Sequence, residues 1–277
     1  MLSQRLPNRS LLISWAGQAR PRRALALTLG ALALALASCA QPTGYYPLKS
    51  DAKPHANVAR AHNLPVHGID VSRWQGKIDW ASVKSAGTKF AFIKATEGTT
   101  VRDANFGANY VGAYNAGVIR GAYHFALPDR SSGAVQANYL ASHGGAWSAD
   151  GRTLPAALDI EFNPYGATCY GLSQAAMRAW ISDFLNTYRT RTSRYAVIYT
   201  TTSWWTSCTG NWSGPWANHP LWIARWAASP GTLPAGAPFY TFWQYTSSGT
   251  VPGISGAVDR DYFNGARSRL VALANNT

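Results

Sequence analysis

A chain of 277 residues with 47% apolar and 13% charged content has enough apolar material for one barrel-sized domain or two smaller ones. Its 12 Trp, 14 Tyr and 9 Phe exclude disorder over most of the length, because so much aromatic surface must be buried or bind something. The 25 Lys+Arg against 12 Asp+Glu give +13, a balance that suits nucleic acid, anionic lipid or an anionic polymer. The basic residues of the body are scattered and form no run, which sets nucleic acid aside.

Residues 1–39 read as an export signal. Arg20, Arg22 and Arg23 precede an apolar run from Ala24 to Ala37, too short to span a bilayer but suited to a signal core. The sequence Leu36-Ala37-Ser38-Cys39 then resembles the lipobox of bacterial lipoproteins, in which the cysteine becomes the lipidated first residue. Lipid on Cys39 would tie the protein to a membrane; cleavage near Ala35 and Ala37 would instead release it. Residues 40–64, rich in Pro, Lys, Asn and Ala without hydrophobic period, read as a flexible tether. With Cys39 lipidated or removed, Cys169 and Cys208 remain as a disulfide pair, the alternative being two buried thiols. There is no CxxC, no HExxH and no histidine cluster, so neither a metal nor another cofactor is expected.

From residue 65 onward short apolar runs alternate with amphipathic stretches. Strands are expected at His67–Val71, Lys89–Ala95, Val118–Leu127, Leu154–Phe162, Tyr195–Thr200, Leu221–Trp226, Phe239–Tyr245 and Ala257–Phe263. The best helix begins after Ser173 as N-cap and carries Met177, Trp180, Ile181, Phe184, Leu185 and Tyr188 on one face. Asp183 falls on its polar face, where substitution should be silent. A second helix is expected near Ala104–Ala116, with Phe106, Tyr110, Ala113 and Tyr114 inward and a stop at Gly117; a third lies near Gly133–Ser142. Helices thin out after Tyr195, so the last strands should connect through loops. The pattern predicts an α/β fold: a single irregular, TIM-barrel-like β/α barrel over residues 65–277.

Carboxylates gather at strand ends. The run Leu154-Pro-Ala-Ala-Leu-Asp-Ile-Glu161 closes on Asp159 and Glu161, which strand periodicity puts on one face. Two adjacent acids in a partly apolar mouth cannot both stay ionised, so one carboxyl is held protonated as general acid while its ionised neighbour stabilises positive charge. Asp70 ends the first strand, and Asp259 and Asp261 lie on the last. A single such Asp would be read as a cap or a surface ion pair. Acids on three separate strands point to a glycosidase-like cluster, because barrel enzymes keep their chemistry at the C-terminal strand ends. Tyr123, Tyr199, Trp204, Trp205, Trp226 and Trp243 fall at or just beyond strand ends, where rings could stack on sugars; Gln244 and the Tyr hydroxyls could bond N-acetyl groups. Lys94 and Glu97 could anchor a substrate carboxylate or a loop.

The segments HGIDVSRWQG (67–76), FAFIKATEGTT (90–100), GAYHF (121–125), ALDIE (157–161), YAVIYTTTSWW (195–205), LWIARW (221–226), WQYTSSGTVPGI (243–254) and VDRDYF (258–263), in this order, resemble the family 25 glycoside hydrolases, the Ch-type lysozymes. The resemblance implies hydrolysis of the β-1,4 bond between N-acetylmuramic acid and N-acetylglucosamine in peptidoglycan, on an irregular barrel of eight strands and about five helices. It makes Glu161 the proton donor, Asp159 its partner, and Asp70 and Asp259 the supporting acids; Asp261 stands where many relatives carry Asn. It places Tyr123, Tyr199 and Trp243 at the mouth and matches the cysteine pair to Cys169 and Cys208. Covalent retention, inversion and assistance by the substrate's 2-acetamido group all remain open for such a carboxylate pair. A barrel glycosidase acting on chitin and a non-catalytic wall-binding lipoprotein are the rival readings. One chain acting as a monomer is expected.

Overall fold

The computed structural model describes residues 66–277. The predicted signal segment, Cys39 and the tether lie outside the described residues. In chain order the elements are β1 (Val66–Val71), α1 (Trp80–Ser85), β2 (Phe90–Glu97), β3 (Val101–Arg102), α2 (Phe106–Asn115), β4 (Ile119–Phe125), α3 (Gly133–Leu140), β5 (Ala157–Asp159), α4 (Gln174–Thr192), β6 (Val197–Thr200), α5 (Thr202–Thr209), β7 (Leu221–Ala224), β8 (Phe242–Gly249), β9 (Val258–Phe263) and α6 (Arg267–Asn275).

The helices follow local chemistry. The Ser173 side chain accepts from Ala176 N at 3.2 Å, starting α4, and the six predicted apolar residues are its buried face. Gly117, at φ 74°, stops the chain after α2 as the sequence suggests. Tyr114 departs from expectation: it is exposed, with the guanidinium groups of Arg120 and Arg152 over its ring. Asp183 is no inert surface position either, because its carboxylate accepts from Ala134 N at 2.7 Å in the first turn of α3. The two helices touch so closely that a Cβ on Gly133 would lie 2.3 Å from Trp180 O. Six α-helices form among the described residues, and two of them, α5 and α6, follow Tyr195. Only β7–β8 and β8–β9 are joined by loops without an α-helix in the later half.

Eight strands close into a barrel in the order β1, β9, β8, β7, β6, β5, β4, β2, with β2 pairing back to β1 and β3 hanging on β2 as a short hairpin. All barrel pairings are parallel except those of β9, which runs antiparallel to both β8 and β1. Period-2 alternation sorts the side chains. Ala91, Ile93, Val118 and Val258 pack outward under α1 and α2, while Leu158, Ile198, Ile223 and Trp243 pack outward under α3, α4 and α5. Val66, Phe90, Phe92, Ile119, Val197, Trp222, Phe242 and Phe263 fill the lower interior, and α6 closes that end with Leu270 and Ala274. The interior is narrow enough to require glycine: a Cβ on Gly68 would meet the Phe90 ring at 2.2 Å, and one on Gly121 the Phe92 ring at 2.6 Å.

Candidate active site

One step further along each strand, the inward positions change from apolar to polar. Gly68 gives way to Asp70, Phe92 to Lys94, Ala157 to Asp159, Val197 to Tyr199 and Phe242 to Gln244. On β9 the same step runs backward, from Phe263 to Asp261 to Asp259. Because β9 is antiparallel, its N-terminal end reaches the mouth, and Asp259 sits opposite Asp70 in register. The expectation that every acid ends its strand therefore fails for β9, yet the antiparallel direction brings its acids to the same place.

The strand expected over 154–162 is only three residues long. Glu161 lies two residues beyond β5, but Ile160 N still donates to Tyr199 O at 3.0 Å, so the chain keeps its course along β6. Glu161 is 0% exposed and neither carboxyl oxygen has a hydrogen-bond partner among the described residues; Oδ1 of Asp159 has none either. Burial raises the Glu161 carboxyl well above its usual range, and the negative charges of Asp159, Asp259 and Asp70 add to it. Asp159 is raised as well, first by burial, but for it the Lys94 ammonium is the largest opposing influence. Lys94 favours the ionised form of both carboxyls, and the pair titrates as a unit.

Lys94 is buried and held by Glu97, Nζ to Oε2 at 2.6 Å. The second oxygen of Glu97 accepts from Tyr165 OH at 2.5 Å. Burial lowers the Lys94 pKa while Glu97 and Asp159 raise it. The two residues thus form a buried ion pair facing Asp159.

On the opposite wall Gln244 is the hub. Its Nε2 donates to Asp70 Oδ2 at 2.8 Å, and its Oε1 accepts from Tyr199 OH at 3.0 Å and Trp226 Nε1 at 2.9 Å. Those two donors fix which way the amide points. Burial pushes Asp70 up to about 7 against the hydrogen bond from Gln244. Asp261 is itself fully buried, accepts from Trp222 Nε1 at 2.8 Å, and is raised by burial and by Asp70. Its other oxygen, Oδ2, has no hydrogen-bond partner among the described residues. Asp259, half-buried at the rim, is raised by burial and by Asp70.

The structure thus brings together Asp70, Lys94, Glu97, Asp159, Glu161, Tyr199, Trp226, Gln244 and Asp259, with Tyr123 inward in register with Lys94. It does not bring Trp243 there. That ring is fully buried on the outer face of β8 with Tyr245 and Tyr262, and its Nε1 donates to Arg225 O. Trp204 and Trp205 are likewise buried on α5, bonded to Thr168 O and Trp212 O. Sequence reasoning gave too little weight to Asp261, although its alternation with Asp259 was visible. Trp222 and Tyr165 it missed, and nothing local to Tyr165 signals a partner 68 residues away. Cys169 and Cys208 are joined, tying the loop after Glu161 to α5; in the chain-entropy view closure of such a loop stabilises by roughly 4 kcal/mol.

A closed barrel whose mouth buries a partnerless carboxyl beside a second one faced by a lysine is a glycosidase-type site. Residues 69–254 match the family described as Glycosyl hydrolases family 25, and the chain belongs to that family; it is a glycoside hydrolase. It is 62% identical over 220 residues to Lysozyme M1 of Streptomyces globisporus, covering 79% of this chain and 75% of that one. It is 45% identical over 209 residues to an N,O-diacetylmuramidase of Arthroderma benhamiae, covering 76% and 86%. Among solved structures, the bacterial lysozyme of Streptomyces coelicolor superposes with a TM-score of 0.77 at 61% identity, covering 78% of this chain and all of that one.

Proposed function

We propose that this protein is an exported muramidase that cleaves the β-1,4 bond between N-acetylmuramic acid and N-acetylglucosamine in peptidoglycan, with Glu161 as proton donor. The observation that carries the reading is the buried, unpartnered Glu161 carboxyl beside Asp159, whose charge Lys94 supports. Glu161 protonates the glycosidic oxygen as the bond to the anomeric carbon breaks. The carbonyl oxygen of the substrate's 2-acetamido group then closes on that carbon, and Asp159 orients the group and balances the positive oxazolinium. Glu161, now ionised, takes a proton from water as the water opens that ring, which restores the starting protonation. Asp70, held by Gln244, and Asp259 at the rim keep the negative potential that holds the Glu161 proton in place. Tyr123, Tyr199 and Trp226 line the cleft. A covalent glycosyl–Asp159 adduct trapped by mass spectrometry would replace the acetamido step with direct attack by Asp159.

The names of the relatives, lysozyme and diacetylmuramidase, support the substrate. The basic sequence before an apolar run at residues 1–39 supports export, and Cys39 a lipid anchor, with 40–64 as tether and residues 65–277 as catalytic domain acting as a monomer. Product analysis tests the substrate: digestion of peptidoglycan should yield reducing muramic ends. Reducing glucosamine ends, or cleavage of chitin in preference, would overturn it.

A further inference from the structure

The closed end of the barrel carries a different chemistry from the mouth. Parallel strands begin there, so the segments leading into them share that face. Lys89 precedes β2, Arg152 precedes β5, Arg189 and Arg191 end α4 ahead of β6, and Arg267 and Arg269 open α6 after the antiparallel β9. Lys84 joins them, its ammonium bound to Gly117 O in the turn leading to β4. All seven are exposed or half-buried. The Lys84 ammonium is depressed by burial and then by Lys89, Arg267 and Arg152, which places those three cations within its electrostatic reach. The acid on this side among the described residues, Asp150, is held by Arg120 at 3.1 Å.

We propose that this face docks on an anionic phospholipid bilayer and turns the carboxylate mouth away from it. Two observations favour lipid over an anionic wall polymer. Phe239, 58% exposed, and Tyr195, 38% exposed, stand among the cations, ahead of β8 and β6. Aromatic rings beside basic residues are suited to the headgroup level of a bilayer, whereas a polyanion gives them nothing to bury in. Phe239 and Arg269 also line one shallow cavity of about 220 Å³ with Trp216 and His219. The second observation is where the chain enters. β1 starts at Val66 on this same face, 27 residues after Cys39. On the tether reading, a segment of that length would have a root-mean-square span of about 30 Å, and its Lys49, Lys53 and Arg60 outnumber Asp51. A lipid on Cys39 would hold the basic face near the surface, and the cations would add roughly fivefold in affinity each. The inference rests on the export reading and is independent of the glycosidase chemistry.

The test uses the exported Cys39→Ala protein, so that no acyl chain contributes, mixed with vesicles containing 30% phosphatidylglycerol or with pure phosphatidylcholine. Binding to the anionic vesicles alone is expected, falling at least tenfold between 50 and 200 mM salt as counterions screen the face. Replacing Lys84, Lys89, Arg267 and Arg269 together by Gln should weaken it more than a hundredfold while hydrolysis of soluble wall fragments stays unchanged. Replacing Arg73 and Arg102, near the mouth, should leave it intact. Equal binding to neutral vesicles, equal loss from the mouth variants, or binding to phosphate-bearing wall polymer without vesicle binding would overturn the proposal. An inactive wild-type protein that still docks would refute the muramidase reading alone.

Discussion

At the closed end of the barrel α6 lays Leu270 and Ala274 on the lower aromatic layer, buried Arg194 donates to Leu273 O, and Trp147 Nε1 donates to Thr153 O and Ala274 O. At the open end, two carboxyls of Asp159 and Glu161 are as deeply buried, yet three of their oxygens have no donor among the described residues. A buried polar group left unpaired costs about 1–3 kcal/mol, and a charged one more. The closed end is therefore where this chain gains stability, and the mouth is where it stores the strain that chemistry uses.

That contrast can be broken from either side. Asp159→Asn removes the charge that faces the developing cation, so turnover should fall about 10²–10³-fold while the melting temperature holds or rises. A parallel loss of stability would show that Asp159 is structural. Leu270→Ala should do the reverse, lowering unfolding free energy by about 2–5 kcal/mol in a denaturant titration with turnover per folded molecule unchanged.

Asp261→Asn sharpens the comparison within the mouth. The amide keeps an acceptor oxygen for Trp222 Nε1 and fills the same space, so turnover should drop only a few-fold. It removes a buried like charge beside Asp70, so the Asp70-linked inflection near pH 7 should move to lower pH in the rate profile. The wild-type fold should also gain stability as pH falls from about 7 toward 4. Asp70 has a folded pKa of about 7 against an ordinary 3.8, and Glu161 is raised too; through these acids the native state binds more protons than the unfolded chain across that window, a gain that His124, depressed by burial to about 4, partly offsets. A wild-type profile identical to that of Asp70→Asn would contradict the burial of Asp70. The smallest effect belongs to Asp183→Asn, which keeps an acceptor for Ala134 N but loses charge at the start of α3. It should cost under about 1 kcal/mol and leave turnover alone.

Much of this was legible because a barrel strand writes its own cross-section. Inward residues step from apolar to polar at Gly68–Asp70, Phe92–Lys94, Val197–Tyr199 and Phe242–Gln244, and α4 announces itself by its cap and its six-residue face. What alternation cannot give is strand direction. The eleven residues between the last two expected strands, 246–256, were the clue, since a parallel crossover needs a dozen or more. Nor can composition say which face of β8 looks inward, so Trp243 and Gln244 read alike as groove residues although one is packing and the other a hub. The Lys94–Glu97–Tyr165 chain depends on the loop after Glu161 folding back across the mouth, a tertiary event with no local signature.

The central claim is that Glu161 delivers the proton, and one measurement tests it most directly. Release of reducing ends from purified peptidoglycan should be followed for the wild type beside Glu161→Gln, with circular dichroism and glycan binding as folding controls. The amide fills the same buried space but has no proton to give, so turnover should fall at least 10²-fold while fold and binding persist. Retention of more than about a tenth of wild-type turnover would contradict the assignment and shift the role to Asp70 or Asp259.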